Sequence, residues 1–414
     1  PPAWHGEPVP PAAADPRPEC TPTATQVLEL LLDRNVRISA DTAGGNELLT
    51  RQWLEACAAA NRRPPAALLV TLLQLATGTA ELRPTVAAVT GPRGAWLATR
   101  NRRWAWAMPP PAAEEVAERF ATATRGERLT LLTAIRRTDP DRGRELVEAT
   151  WRTETAANRA GLLDALATGL SDADEPFLES TLDDKAATAR AAAAALLDRL
   201  PGSRRAGRMA ERVRALTRPD GTVELPDKPD AAAKRDGVAN RREPGFGPRA
   251  SWLIQLVGAA PLPEQPVLDG APGELVTGWT KAALRQRNRT WLRALAEANP
   301  TPETLSALDP ETATGIVAAQ IEVDARFAGL LAACPGPWPV DFSILVTQLL
   351  QTASSEGVLT LAFASLAEHL DPAALPGVED WLTRTPTDKR ARRRTLRGLA
   401  HALTIRQTIQ QEFT

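Results

Sequence analysis

Between Arg125 and Thr217 apolar residues recur at helical spacing, and the whole pattern recurs after thirty-one residues. The segments RLTLLTAIRRTDPDRGRELVEATW, RAGLLDALATGLSDADEPFLESTL and RAAAAALLDRLPGSRRAGRMAERV align on Arg128, Arg159 and Arg190. The same offset brings Leu132, Leu163 and Ala194 into one column, and Ile135, Leu166 and Leu197 into another. Val147, Leu178 and Met209 form a third column, and Trp151, Leu182 and Val213 a fourth. Each copy reads as a helical hairpin. A fixed period in this range, apolar in both halves, predicts an α-solenoid whose units bury their faces only against neighbours, with the apolar columns pointing inward.

Helical patterning continues on both sides of the repeats. Residues 1–22, rich in proline and alanine, read as an extended arm rather than a packed element, with Trp4 its one large apolar residue. An N-terminal helical region follows over 23–124, with Asn46 as the expected cap of a helix carrying Leu49, Trp53 and Cys57, further helices at 66–77 and 82–90, and one at 112–124. The repeats occupy 125–217. Residues 218–249 shift to Pro, Gly, Asp, Lys and Arg, which predicts a linker or long loop. A C-terminal helical region spans 250–414, with helices expected near 251–259, 274–298, 303–308, 311–333, 342–353, 357–370 and 373–384. The fold class expected is therefore all-α, a solenoid with additional helical N- and C-terminal regions.

Composition supports that class. Tyrosine is absent, aromatics make up 4% of the chain, and alternating β-branched runs are hard to find. The formal charge of −1, with acids and bases mixed, gives no global field to attract nucleic acid or an anionic membrane, so nucleic acid is disfavoured as a partner. Three scattered cysteines without CxxC spacing argue against a disulfide framework and fit a reducing cytoplasm, and three histidines leave little to hold a metal. No apolar run has the length of a membrane span, and the opening PPAWHG has no apolar core of a secretory signal.

The most distinctive local stretch is TGPRGAWLATRNRRWAWAMPPP at 90–111. Trp96, Trp104 and Trp106 offer rigid apolar surface, and Arg93, Arg100, Arg102 and Arg103 a cationic edge. Such interleaving can stack on a single nucleic-acid strand, or it can seal the end of the repeat array; sealing is the reading adopted, with Arg93, Trp96, Arg103, Trp104 and Trp106 as the candidate binding or capping surface. Asp139, Asp141, Ser171, Asp172 and Asp174 lie in inter-helix turns and read as helix caps rather than acid–base pairs. The match of GFGPRA at 245–250 to a dinucleotide-binding glycine pattern has no preceding strand and is discounted. Lys389–Arg394 is a basic helix start that reads as solvated. Searches for hydrolase, protease, kinase and P-loop motifs find nothing, so no catalytic, cofactor or metal residue is expected.

RGAWLATRNRRWAW at 93–106, GERLTLLTAIRRTDP onward through LSDADEPFLESTLDDKAATARAAAAALLDRLPGSRRAGRM at 126–209, and GPRASWLIQLVGAAPL at 247–262 together resemble the bacterial family catalogued as domain of unknown function 5691. Arg102 stands where proline is expected in that family. The resemblance implies HEAT-like helical repeats and no assigned catalytic residues. It further implies a genomic neighbourhood with a MoxR-like AAA+ ATPase, a von Willebrand A domain protein and a SWIM zinc-finger protein. The expected function is a non-enzymatic, cytoplasmic protein-binding scaffold or adaptor working with such partners; the alternative is a nucleic-acid-binding helical-repeat protein.

Overall fold

In the computed structural model, residues 10–33, 45–109, 119–120, 122–219, 222–320, 322–352 and 356–414 are described. Every regular element among them is helical, apart from two isolated bridges, Glu19 with Arg63 and Thr217 with Val223. In chain order the helices are α1 (Pro22–Leu32), α2 (Gly45–Ala59), α3 (Leu69–Gly78), α4 (Arg83–Ala98), α5 (Arg125–Thr138), α6 (Pro140–Thr150) and α7 (Ala156–Leu166). Next come α8 (Glu175–Thr181), α9 (Ala187–Leu197), α10 (Arg204–Leu216), α11 (Ala231–Arg235), α12 (Pro248–Ala259), α13 (Gly273–Gln286), α14 (Arg289–Ala298) and α15 (Pro302–Ser306). The last are α16 (Pro310–Ala318), α17 (Ala325–Ala333), α18 (Val340–Thr352), α19 (Glu356–His369), α20 (Leu375–Arg384) and α21 (Arg390–Phe413). The helix expected at 112–124 falls largely outside the described residues, as do Trp4 and His5.

Side-chain caps set many of the starts. Asp139 accepts from Arg142 N at 3.0 Å, Thr155 from Asn158 N at 3.3 Å, and Ser203 from Ala206 N at 3.2 Å. Two long helices expected from the sequence are split. Arg287 adopts a left-handed φ of 52° and Asn288 caps a new helix, which divides 274–298. Asp324 likewise starts α17 and divides 311–333. Gly91, with φ 52°, puts a kink inside α4.

The chain forms two units, and they do not follow its linear regions: one contains Pro1–Pro109 with Asp309–Thr414, the other Pro110–Leu308. The expected separate N- and C-terminal regions are thus joined, and residues 250–308 belong with the repeats. A linear pattern cannot report this, because the joining contacts are side chains remote in sequence. Trp53 meets Phe413 edge-on with ring centroids 5.2 Å apart, Thr21 bonds Glu412, and α2 packs on α21.

In the second unit α5 packs on α7 and α7 on α9, so the helices that open the three aligned segments follow one another. Leu132, Leu163, Leu166, Leu197, Val147, Leu178 and Met209 are each 0% exposed, and Leu182 is 1%. Ile135 and Trp151 are half-buried against the same core. Each fully buried aliphatic side chain contributes about 1.5–3 kcal/mol relative to exposure, which sets the scale of what the inward columns supply.

Residues 218–249 are not a free linker. Arg235 holds Asp183 and Glu179, and Asp236, 1% exposed, receives Arg208 and Arg212 at 2.6 and 2.7 Å. The charged composition that suggests a solvated loop is spent on ion pairs with the repeats. The arm is corrected in the same way. Residues 10–20 are extended but docked: Cys20 N donates to Arg63 O, Arg63 N to Pro18 O, and the Cys20 and Cys57 sulfurs lie 3.6 Å apart as free, buried thiols. Pairing lowers the Cys20 pKa and, with burial, raises that of Cys57.

Candidate functional site

The tryptophan and arginine stretch packs inside the first unit. Asn101 caps a 3-10 turn over Arg102–Ala107, which places Trp104 in the core at 9% exposure. Trp96 is half-exposed; its Nε1 donates to Pro10 O at 2.7 Å and Arg100 lies 5.3 Å over its ring. Trp106, half-buried, sits under Arg83 at 5.9 Å, and its buried Nε1 has no hydrogen-bond partner among the described residues. Arg17, locked to Asp15, donates to Ala88 O and Val89 O, the carbonyls left open by the kink at Gly91. Arg103 is exposed and Arg93 half-buried. The rings therefore hold the arm, α3 and α4 together, and only part of Trp96 and Trp106 reaches solvent.

A second candidate site lies in the second unit, built from residues far apart in sequence. A groove of about 340 Å³ runs beside α9. Ala187, Ala191, Ala194 and Ala195, on one face of α9, give it a floor of methyl groups. Gly237, at φ 88°, turns the segment after α11 against that floor; a side chain there would lie 3.1 Å from Ala194 Cβ.

The lining carries seven cationic side chains, Arg190, Arg205, Lys234, Arg235, Arg241, Lys281 and Arg285, against two carboxylates, Asp198 and Glu243. Asp198 is shared by Arg205 and Arg285, and Glu243 takes Lys281 at 2.6 Å. The Lys281 ammonium holds the Glu243 carboxyl below its ordinary value despite burial. Arg190 donates only to the carbonyls of Asp184 and Lys185, and neither it nor Lys234 has a carboxylate within 4 Å among the described residues. The groove therefore retains positive charge after its internal pairs are counted.

The arginine column divides accordingly. Arg128 pairs with Glu154 and Arg159 with Asp184 at 2.9 Å, so two of its members are committed to architecture and only Arg190 borders the groove. In the first unit Arg393 donates to Leu382 O and Thr385 O. Among the described residues, no group of three or more His, Cys, Asp or Glu side chains is placed to hold a metal, and no helix is long and apolar enough to cross a membrane.

The family model described as "Family of unknown function (DUF5691)" matches residues 1–413, and the chain belongs to that family. No curated protein and no solved structure matches it.

Proposed function

We propose that the protein is a non-enzymatic scaffold in which the three hairpins form a HEAT-like α-solenoid, and that the groove beside α9 takes a short acidic segment of a protein partner. The carrying observation is the excess of cations over carboxylates around an alanine floor. Small side chains admit another backbone closely, while the charged rim supplies specificity and a fast encounter. A volume near the low end for binding pockets suits a few side chains of a segment rather than a domain face. The partners to try first are the MoxR-like AAA+ ATPase and the von Willebrand A domain protein implied by the family resemblance, in a cytoplasmic setting.

Nucleic acid is the competing occupant. Against it stand the neutralised Arg128 and Arg159 and the absence of any aromatic ring among the groove's lining residues, since strand binders add base stacking to charge. Binding of a labelled acidic peptide in competition with DNA separates the two readings, because duplex contacts impose a salt dependence proportional to the phosphates neutralised.

A further inference from the structure

The first unit contains a second pocket, of about 420 Å³, that the scaffold reading does not use. It lies between α2, the residues around Gly336, the end of α19 and α21. Arg406 reaches into it from α21 and is 7% exposed. One of its nitrogens, Nη1, donates to Leu370 O. Its Nε and Nη2, the two donors along one edge of the guanidinium, have no hydrogen-bond partner among the described residues, and no carboxylate lies within 4 Å of the group.

A buried charge without a counter-charge is costly. Here the desolvation is large enough to push the Arg406 pKa down to about 10, which leaves it cationic at neutral pH. Two acids line the pocket, Glu55 and Glu368, and neither lies within 4 Å of the guanidinium; Glu368 accepts from Arg51 at 2.7 Å, and its carbonyl from Gln52 at 2.8 Å. Gly336 has no Cβ, and one would lie 2.1 Å from Nδ1 of His369, so the glycine lets the imidazole stand at the wall. His369 is held below its ordinary value by burial, with Glu368 opposing and Arg406 and Arg51 reinforcing.

We propose that this pocket binds a small carboxylate, which docks its two oxygens on the free Nε–Nη2 edge of Arg406. A carboxylate matches that edge with two parallel charge-assisted bonds, and gives the guanidinium the directly bonded counter-charge that Glu368 and Asp371, acting only from a distance, do not. A phosphate dianion fits less well, because the charges of Glu55 and Glu368 already balance those of Arg51 and Arg406 in the lining. Arg406 is the anchor and His369 the adjacent reporter.

The test is a titration of the full chain with acetate and, separately, inorganic phosphate, followed by the His369 imidazole resonances and by thermal unfolding. Acetate should shift His369, raise its pKa and raise the melting temperature, while phosphate does neither. Arg406→Gln should weaken acetate binding by about tenfold or more, the loss expected for one charge-assisted pair. Should that variant fold poorly, Gln410→Trp plugs the rim from an exposed position and should abolish the acetate response while leaving the fold. A response to phosphate alone, no response to either anion, or an acetate response that survives Gln410→Trp would each overturn the assignment.

Discussion

Arg136 and Asp174 form a bidentate ion pair, at 2.9 and 2.8 Å, with both side chains 0% exposed. The Arg136 guanidinium also donates to the carbonyls of Pro140, Leu166, Thr168 and Gly169, while Asp174 accepts from Ser171 N at 3.0 Å. One arginine thus ties the start of α6 to the loop that follows α7. Arg136→Ala or Asp174→Ala should each cost about 3–5 kcal/mol, because the surviving charge stays buried without its bidentate partner, Asp174 keeping only Arg144 at 3.6 Å. Urea unfolding of the single variants and of the double variant checks this. Single losses below about 1 kcal/mol would mean the pair is dispensable.

The tryptophan stretch makes a graded prediction. Trp104→Ala removes a buried ring and should cost about 3–5 kcal/mol. Trp96→Ala removes a half-exposed ring whose main tie is to Pro10 O, so the stability loss should be much smaller. Its effect should instead be faster proteolysis of residues 10–20. Equal melting temperatures for the two variants would contradict the packing described here.

Stability should fall in acid. Burial pushes the Asp236 carboxyl up, but Arg208 and Arg212 outweigh it and hold the folded-state pKa below the ordinary value. Glu175 is lowered by its pairing with Arg204. A depressed folded pKa contributes stability that is present above the unfolded value, about 3.9 for aspartate, and is lost as pH falls through the folded one. The second unit should therefore lose stability below about pH 4. Arg208→Gln should move the acid transition to higher pH, measured by circular dichroism against pH; an unmoved transition would remove Asp236 from the account.

The inward columns were legible because helical spacing and a fixed period are both properties of the linear chain, and Leu163, Leu166 and Leu178 are buried as that spacing requires. Arg136 was not. Its partner lies thirty-eight residues on, and its counterparts one and two repeats later are Ala167 and Asp198, so no column of like residues marked it. At Asp198 the charges are reversed, with Arg205 as its partner. The composition of 218–249 misled for a related reason: Arg235, Asp236 and Glu243 are charged yet paired internally, and composition counts charges without showing where they point. The groove was only partly legible, since Arg190 stood out in the repeat but Lys234 reaches it from α11, and Lys281 and Arg285 from α13.

The central claim is that this groove takes an acidic protein segment, and an anisotropy titration of a fluorescent glutamate- and aspartate-rich peptide tests it most directly. Wild-type protein should bind, with affinity that falls as salt rises, and DNA of similar charge should compete poorly. Arg190→Glu with Lys234→Glu should abolish binding while the protein stays folded, because neither residue has an internal carboxylate partner to lose and Arg190 gives up only its bonds to Asp184 O and Lys185 O. Peptide binding unaffected by the double variant, or displacement of the peptide by DNA at equal charge, would contradict the account.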